Sequence, residues 1–154
     1  MPENVLIEDT RKLFIRPLIV SLGFSVIGEF LLLILYGIIL FPDGNMIYKV
    51  LWTIVFCGIG MGATLGTSIN LFIIGRYSGL KAILLTILFA FLIMGVACDL
   101  LCLNIDLHFN YFGAQTNPLL FSAGGMLGSV IAGAGIGGLL FSRPGNSGLA
   151  RIGL

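Results

Sequence analysis

Charged side chains are scarce in this chain, and their scarcity excludes a typical soluble domain. The sequence has 8 Lys and Arg and 7 Asp and Glu residues among 154, so charged residues make up 10% and hydrophobic residues 58%. Soluble domains carry about 25% charged residues. His and Trp occur once each, and the sequence has no phosphate-binding Gly loop, zinc-protease helix or Ser-His-Asp arrangement. We therefore expect no enzyme activity, no cofactor or metal, and no nucleic-acid partner.

Apolar residues form four long runs, each sufficient for a helix that crosses a lipid bilayer. A hydrocarbon core of about 30 Å requires roughly 20 helical residues. The sequence therefore predicts an all-α, multi-pass membrane protein with one four-span membrane domain over residues 17–143. An N-terminal segment, 1–16, could form a short interfacial helix, and residues 144–154 form a tail. The lipid bilayer is the first expected partner, and the four spans are expected near residues 17–41, 47–75, 80–103 and 118–141.

Basic residues are concentrated on one side of the predicted spans. The first connection carries only Lys49, and the third carries no Lys or Arg. Because cytoplasmic loops are enriched in Lys and Arg, the basic side is expected to be cytoplasmic, with both termini there. The second connection is so short that the spans it joins should be antiparallel neighbours, which favours two antiparallel hairpins. The basic residues of this side are Arg11, Lys12, Arg16, Arg76, Lys81, Arg143 and Arg151.

Glu29 lies near the middle of an apolar run, residues 18–41. An ionisable group at this depth costs about 2.5–3.5 kcal/mol to insert and is a functional-site hypothesis by default. Ser21, Ser25 and Tyr36 fall on the same side of the helix, so this polar stripe should face protein or water. No basic residue lies at that depth. Four arrangements remain open: a protonated carboxyl group bonded to a neighbouring helix, a wet cavity, a bound cation, or a base from a partner subunit.

Asp99 and Asn70 are the other polar candidates for a transport path. Asp99 lies near the outer end of the third span, where it either reaches interfacial water or forms, with Asp43 and Asp106, an acidic mouth that concentrates cations. Asn70 lies close to the inner end of the second span, and either hydrogen-bonds across helices or lines an exit. The candidate path comprises Glu29, Asp99, Asn70, Ser25 and Tyr36.

Glycine is abundant, with 22 residues, and is concentrated in the second and fourth spans. Gly58, Gly62 and Gly66 recur every four residues, a doubled G-x-x-x-G that lets another helix backbone approach closely. Gly60, Thr64, Thr67 and Thr53 fall on the opposite side, so we expect neighbours on both sides of the second span. Three interpretations remain open: packing within the monomer, homo-oligomerisation, and the wall of a pore. The packing candidates are Gly58, Gly62, Gly66, Gly124, Gly128 and Gly133.

The spacing of the three cysteines does not favour a metal or redox site. Cys98 and Cys102 are four residues apart, with His108 beyond them, but a metal site needs three or four converging ligands. A quinone-linked disulfide oxidoreductase would need paired reactive cysteines, and Cys57 lies deep in a different span. We expect all three to be small, buried apolar side chains.

Two functions are compatible with these patterns. In the first, the protein is a small, oligomeric channel or transporter whose carboxylates handle a cation, a proton or a small solute along a Gly-lined path. In the second, it is a non-transporting accessory or assembly subunit that docks onto a larger membrane complex through its glycine faces, with Glu29 paired to a partner's base. The third connection, predicted over residues 104–117, is rich in aromatics and could cap a cavity or contact a partner.

Overall fold

The fold is that of a computed structural model, which describes residues 3–154, with side chains described from Phe14 onward. Over these residues the chain is helical with short connections and no strand. Four helices are long and apolar enough to cross a membrane, which agrees with the predicted all-helical class and the predicted number of spans. A shorter helix, Arg143–Arg151, follows them. The four are span one (Phe14–Leu40), span two (Met46–Phe72), span three (Gly79–Phe109) and span four (Pro118–Phe141).

Helix ends follow local capping chemistry. The Asn45 side chain accepts a hydrogen bond from a first-turn amide of span two (3.2 Å), and Asn117 does the same for span four (3.1 Å). Each satisfies an amide that a helix start leaves without a partner. Span three continues to Phe109, past the expected end at residue 103, and stops where Asn110 adopts a left-handed conformation (φ 53°). The third connection is therefore shorter than predicted.

The start of span one, the end of span two and the C-terminal tail meet at one end of the bundle, which we call the terminal end. Arg16 Nε donates to the Leu154 carbonyl oxygen (2.7 Å), and Asn70 Nδ2 donates to the Phe14 carbonyl oxygen (2.8 Å). The tail is helical, and Leu149 of its helix is buried.

Span one is continuous with a helix that begins at Glu3. Residues 3–16 therefore do not form a separate short helix.

Span two packs against span one through its glycines. A Cβ at Gly62 would lie 2.8 Å from Ser25 Cβ, and a Cβ at Gly66 would lie 2.9 Å from Leu18 Cα. These separations are shorter than carbon atoms in van der Waals contact keep, about 3.5 Å or more. Gly58 belongs to the same contact face. The doubled G-x-x-x-G thus brings two helix backbones together within the monomer.

The opposite side of span two is covered only in part by the residues that the structure describes. Thr53 is buried on this side, whereas Gly60, Thr64 and Thr67 are exposed, so the expected neighbour is present only near Thr53. The Thr64 and Thr67 hydroxyls donate to carbonyl oxygens one turn earlier in the same helix, at 2.8 Å. A hydroxyl that is satisfied by its own helix needs no neighbour, which is why a small, weakly polar surface can remain there.

Spans three and four form the second closely packed pair. A Cβ at Gly133 would lie 2.8 Å from Ala90 Cβ, and a Cβ at Gly137 would lie 3.2 Å from Ile83 Cα. Gly95 of span three also lies close to span four, since a Cβ placed there would be too near the hydroxyl oxygen of Ser129. Small residues on both helices therefore allow the close approach.

The first and third connections bind each other at the end opposite the terminal end. We call residues 41–45 and 110–117 together the clasp. The Asn45 amide donates to the Tyr111 carbonyl oxygen (2.5 Å). A Cβ at Gly113, where φ is +90°, would fall 2.6 Å from the Asp43 carbonyl oxygen. Glycine is therefore required at this point both by its conformation and by the contact.

Asp106 holds the third connection in shape. Its carboxylate is fully buried and accepts hydrogen bonds from the amides of Phe112 and Ala114, the second at 2.6 Å. Buried backbone amides need such partners. Asp106 is consequently committed to the clasp, and the sequence expectation that it joins an acidic mouth is wrong.

Lys49 is also not a surface residue of the first connection. Its side chain is 1% exposed, and Nζ donates to the carbonyl oxygens of Gly37 (2.8 Å) and Phe41 (2.6 Å). The ammonium group lies 5.6 Å from the centre of the Phe112 ring. Since the last carbonyl groups of a helix carry partial negative charge, a buried cation is favourable there. Lys49 thus joins spans one and two to the clasp.

Candidate functional site

A cavity lies between the four spans, in the half of the bundle nearer the clasp. It is partly open, and the space available to the centres of water molecules is about 80 Å³. One water needs about 10–15 Å³ by this measure, so the cavity has room for several. Residues from all four spans line it, together with Phe112 of the clasp. The polar stripe of span one supplies Ser25, Glu29 and Tyr36 to this lining.

Two carboxyl groups far apart in the sequence face this one space. Glu29 and Asp99 both line the cavity and are both half-buried. Asp99 Oδ2 is inaccessible and has no hydrogen-bond partner among the described residues. Within residues 14–154, the lining contains no Lys, Arg or His. A carboxylate in such surroundings requires a cation, a proton or water for compensation.

Glycines of span four make room for these polar groups. A Cβ at Gly125 would overlap the Asp99 carboxyl group, and a Cβ at Gly124 would overlap the Tyr36 hydroxyl. Gly128 also lines the cavity, with Leu32 opposite it. Span four therefore has two glycine surfaces with different roles: one packs on span three, and the other leaves space for the polar side chains of spans one and three.

Hydroxyl groups complete the polar part of the lining. Thr53 donates to the Lys49 carbonyl oxygen (2.6 Å), and Ser129 donates to the Met126 carbonyl oxygen (2.6 Å). A hydroxyl that has given its proton to the backbone retains its acceptor lone pairs. Such oxygens can contribute to binding a cation or a water molecule.

Three spans are wound as π-helix beside the cavity. The amide of Phe41 donates to the Tyr36 carbonyl oxygen (2.8 Å), five residues earlier. A hydrogen bond between residues five apart widens the helix and changes the direction in which the following side chains point. Cys57 and Asp99 both lie in such turns. The segments are Leu33–Leu40, Leu51–Met61 and Phe91–Leu100.

Aromatic rings lie on the clasp side of the cavity. Phe41, Phe112 and Phe121 are almost completely buried and meet edge to face, with ring centres 5.0–6.4 Å apart. Edge-to-face pairs of this kind are attractive. Phe112 and Phe121 also line the cavity. The aromatic third connection thus contributes Phe112 to the cavity wall, and its role as a cap stays a prediction.

The sequence-based interpretation of the cysteines is wrong for two of the three. Cys57 and Cys98 form a disulfide between spans two and three, with Cα atoms 6.2 Å apart. Cys102 is free and buried. All three line the cavity. Their spacing in the sequence gives no signal for this pairing, because it depends on the relative rotation of two spans.

Asn70 and Asp43 are not brought to the cavity. Asn70 bonds the backbone of span one at the terminal end, and Asp43 is exposed in the clasp. The structure therefore groups Glu29, Asp99, Ser25 and Tyr36 of the predicted path and leaves Asn70 apart. Among the described residues, no group of three or more His, Cys, Asp or Glu side chains is arranged to hold a metal ion.

No protein-family model matches this chain, and neither a curated protein nor a solved structure shows significant similarity to it.

Proposed function

We propose that the protein is a small membrane transporter or channel for a proton or a small cation, with Glu29 and Asp99 as the groups that bind it. The observation that supports this most is the shared cavity: two carboxyl groups from spans one and three face one water-sized space whose described lining has no basic side chain. A cation or proton supplies the charge compensation that the protein itself does not.

The proposed membrane orientation follows the basic residues. Arg16 and Arg143 lie at the terminal end, where the tail helix packs. Under the positive-inside rule this end is cytoplasmic, the spans form two antiparallel hairpins, and the clasp faces the opposite side. Phe112 and Phe121 line the cavity on the clasp side, so in this proposal a cation or proton passes beside these two rings.

The decisive experiment is flux into vesicles. Full-length protein is reconstituted into liposomes that contain a pH-sensitive or a cation-sensitive dye, and a proton or cation gradient is applied. Charged hydrogen bonds are worth about 1.5–3 kcal/mol, so Glu29→Gln and Asp99→Asn should each lower flux by roughly 10- to 100-fold. Asp43→Asn is the matched control, since that carboxylate is exposed and lies outside the cavity.

Two results would end the transport proposal. One is the absence of wild-type flux for protons and for common monovalent and divalent cations. The other is unchanged flux in both cavity variants.

The accessory-subunit alternative requires a glycine-containing helix face that is free to dock a partner, and fewer such faces are free than the sequence suggests. Gly58, Gly62 and Gly133 are already in contact with other spans of the same chain, so they are not free to dock a partner. The exposed face of Gly60, Thr64 and Thr67 remains. Oligomerisation or docking through that face stays a prediction, and purification in mild detergent would test it by the mass and composition of the complex.

A further inference from the structure

The Cys57–Cys98 disulfide forms part of the cavity wall. Both cysteines line the cavity, and so does the free thiol of Cys102, one helical turn beyond Cys98. The three side chains are at most 5% exposed. A reagent can therefore reach these sulfur atoms most directly through the cavity, and a molecule admitted to it meets a disulfide as well as two carboxyl groups.

Each cysteine of the disulfide has a carboxyl-bearing residue near it, either along the same helix or on the helix that packs against it. Asp99 follows Cys98 directly in span three, and its Oδ2 has no partner among the described residues. Glu29 lies beside Gly58, the residue after Cys57, with its Cβ 3.6 Å from where a Cβ at Gly58 would be. Both carboxyl groups and both cysteines face the same space.

This arrangement supplies what thiol–disulfide exchange needs in an apolar place. The reaction proceeds by attack of a thiolate on one sulfur, with the other sulfur leaving as a thiolate. An unpaired thiolate is unfavourable away from water. Proton transfer from and to nearby acid groups removes that obstacle, provided that the groups are positioned next to the reacting atoms.

We propose that Cys57, Cys98, Glu29 and Asp99 form a redox-active disulfide site whose substrate is a small, uncharged dithiol. The first thiol gives its proton to Asp99, and its sulfur bonds to Cys98 Sγ. The Cys57–Cys98 bond breaks, and Cys57 leaves with a proton from Glu29. The second thiol gives its proton to Glu29 and attacks the mixed disulfide, and Cys98 leaves with the proton that Asp99 held. The dithiol is oxidised to a disulfide, and the protein gains two thiols.

The substrate class follows from the lining. Trp52, Phe112 and Phe121 are among the aromatic side chains around the cavity, which suits an apolar molecule. Anionic thiols are disfavoured there by the two carboxyl groups and by the lack of a basic side chain in the described lining. The volume admits a molecule of only a few heavy atoms without movement of the aromatic rings.

The test counts thiols in full-length protein reconstituted into vesicles. Samples are treated with dithiothreitol, an uncharged dithiol, or with 2,3-dimercaptopropane-1-sulfonate, an anionic dithiol of similar size. They are then denatured, alkylated with a maleimide and analysed by mass spectrometry. We expect one free thiol before treatment and three after dithiothreitol. The rate of each reagent is divided by its rate on a soluble model disulfide, and the corrected rate of the anionic dithiol should be far lower.

The carboxyl groups are tested by rates of reduction. Asp99→Asn and Glu29→Gln should each slow reduction by dithiothreitol roughly 10- to 100-fold, the loss of a positioned proton-transfer group. Asp43→Asn should reduce at the wild-type rate. Gly125→Ala gives a second measurement if Asp99→Asn does not fold. This variant keeps the Asp99 carboxyl group but displaces it, so reduction should again be slower than in the wild type.

Three outcomes would overturn the site. The first is three free thiols in protein purified without reductant. The second is equal corrected rates for dithiothreitol and the anionic dithiol. The third is reduction rates of the Asp99, Gly125 and Glu29 variants that equal the Asp43→Asn rate. The thiol count does not depend on ion flux, so this proposal and the transport proposal can fail separately.

Discussion

The Asp99 carboxyl group lies against Gly125 of span four, so closely that a methyl group at Gly125 would overlap its oxygens. A carboxylate from one span thus occupies the space that a missing side chain leaves on the next. The position of the acid is set by a glycine as much as by its own helix.

Gly125→Ala should therefore impair the site without removing any charge. The added methyl group displaces the Asp99 carboxyl group from the cavity wall, and we expect cation or proton flux to fall about tenfold, at the lower end of the loss expected for Asp99→Asn. Flux into dye-loaded vesicles measures this.

Gly138→Ala is the matched control for that variant. Gly138 lies on the same helix, and no neighbouring atom lies within 4 Å of a Cβ placed there. Its flux should equal that of the wild type. Equal flux in both alanine variants would show that the Asp99 position is not critical.

Gly66→Ala should destabilise the contact between spans one and two. The new Cβ would lie 2.9 Å from Leu18 Cα, and because that atom is backbone, the helices must separate to accommodate it. Overpacking of this kind costs about 1–3 kcal/mol. The free energy of unfolding is measured by titration with sodium dodecyl sulfate in mixed micelles, followed by circular dichroism.

Gly60→Ala is the control for the packing variant. Gly60 lies on the exposed face of the same span, and the nearest atom to a Cβ there is a carbonyl oxygen of its own helix, at 3.6 Å. Its unfolding free energy should match or exceed that of the wild type. If the Gly66 variant is as stable as the Gly60 variant, the close approach of the two spans is wrong.

Lys49→Met should destabilise the clasp end. Met keeps much of the side-chain volume but leaves the carbonyl oxygens of Gly37 and Phe41 without the donor that both have in the wild type. A buried polar group that loses its partner costs about 1–3 kcal/mol. Hydrogen exchange measured by mass spectrometry should rise in peptides that cover residues 37–49.

Lys81→Met tests whether loss of a positive charge alone has this effect. Lys81 is exposed near the start of span three, so its variant should retain wild-type exchange over residues 37–49. Faster exchange in both variants would point to a general effect of charge rather than to the bonds of Lys49.

Most of the fold is predictable from the sequence because membrane insertion depends on local quantities. The length and hydropathy of a run decide whether it can span, and four such helices are present. Span four has the expected start and end at Pro118 and Phe141. Span three ends at Phe109 and not at residue 103, because residues 104–109 remain helical although they include the polar residues Asp106 and His108. The helix tolerates Asp106 because its carboxylate caps the amides that follow.

The candidate site was predictable only in part. Of the predicted stripe, Ser25, Glu29 and Tyr36 line the cavity, whereas Ser21 is buried against span two and does not. That Asp99 shares their cavity does not follow from its own helix, since this depends on the rotation of span three against span one. The same holds for the Cys57–Cys98 bond, which joins spans two and three.

The sequence by itself determined the all-helical membrane class, the number of spans and the polar stripe around Glu29, because each depends on residues close together in the chain. The tertiary structure decided what faces that stripe: the Asp99 carboxyl group, the disulfide and a cavity with aromatic rings in its lining. The physical reason is that glycine contacts such as those of Gly62 and Gly125 set the separation and rotation of whole helices. The Glu29 carboxylate, whose charge the sequence predicts to need a compensating group, thereby shares its cavity with the carboxyl group of Asp99.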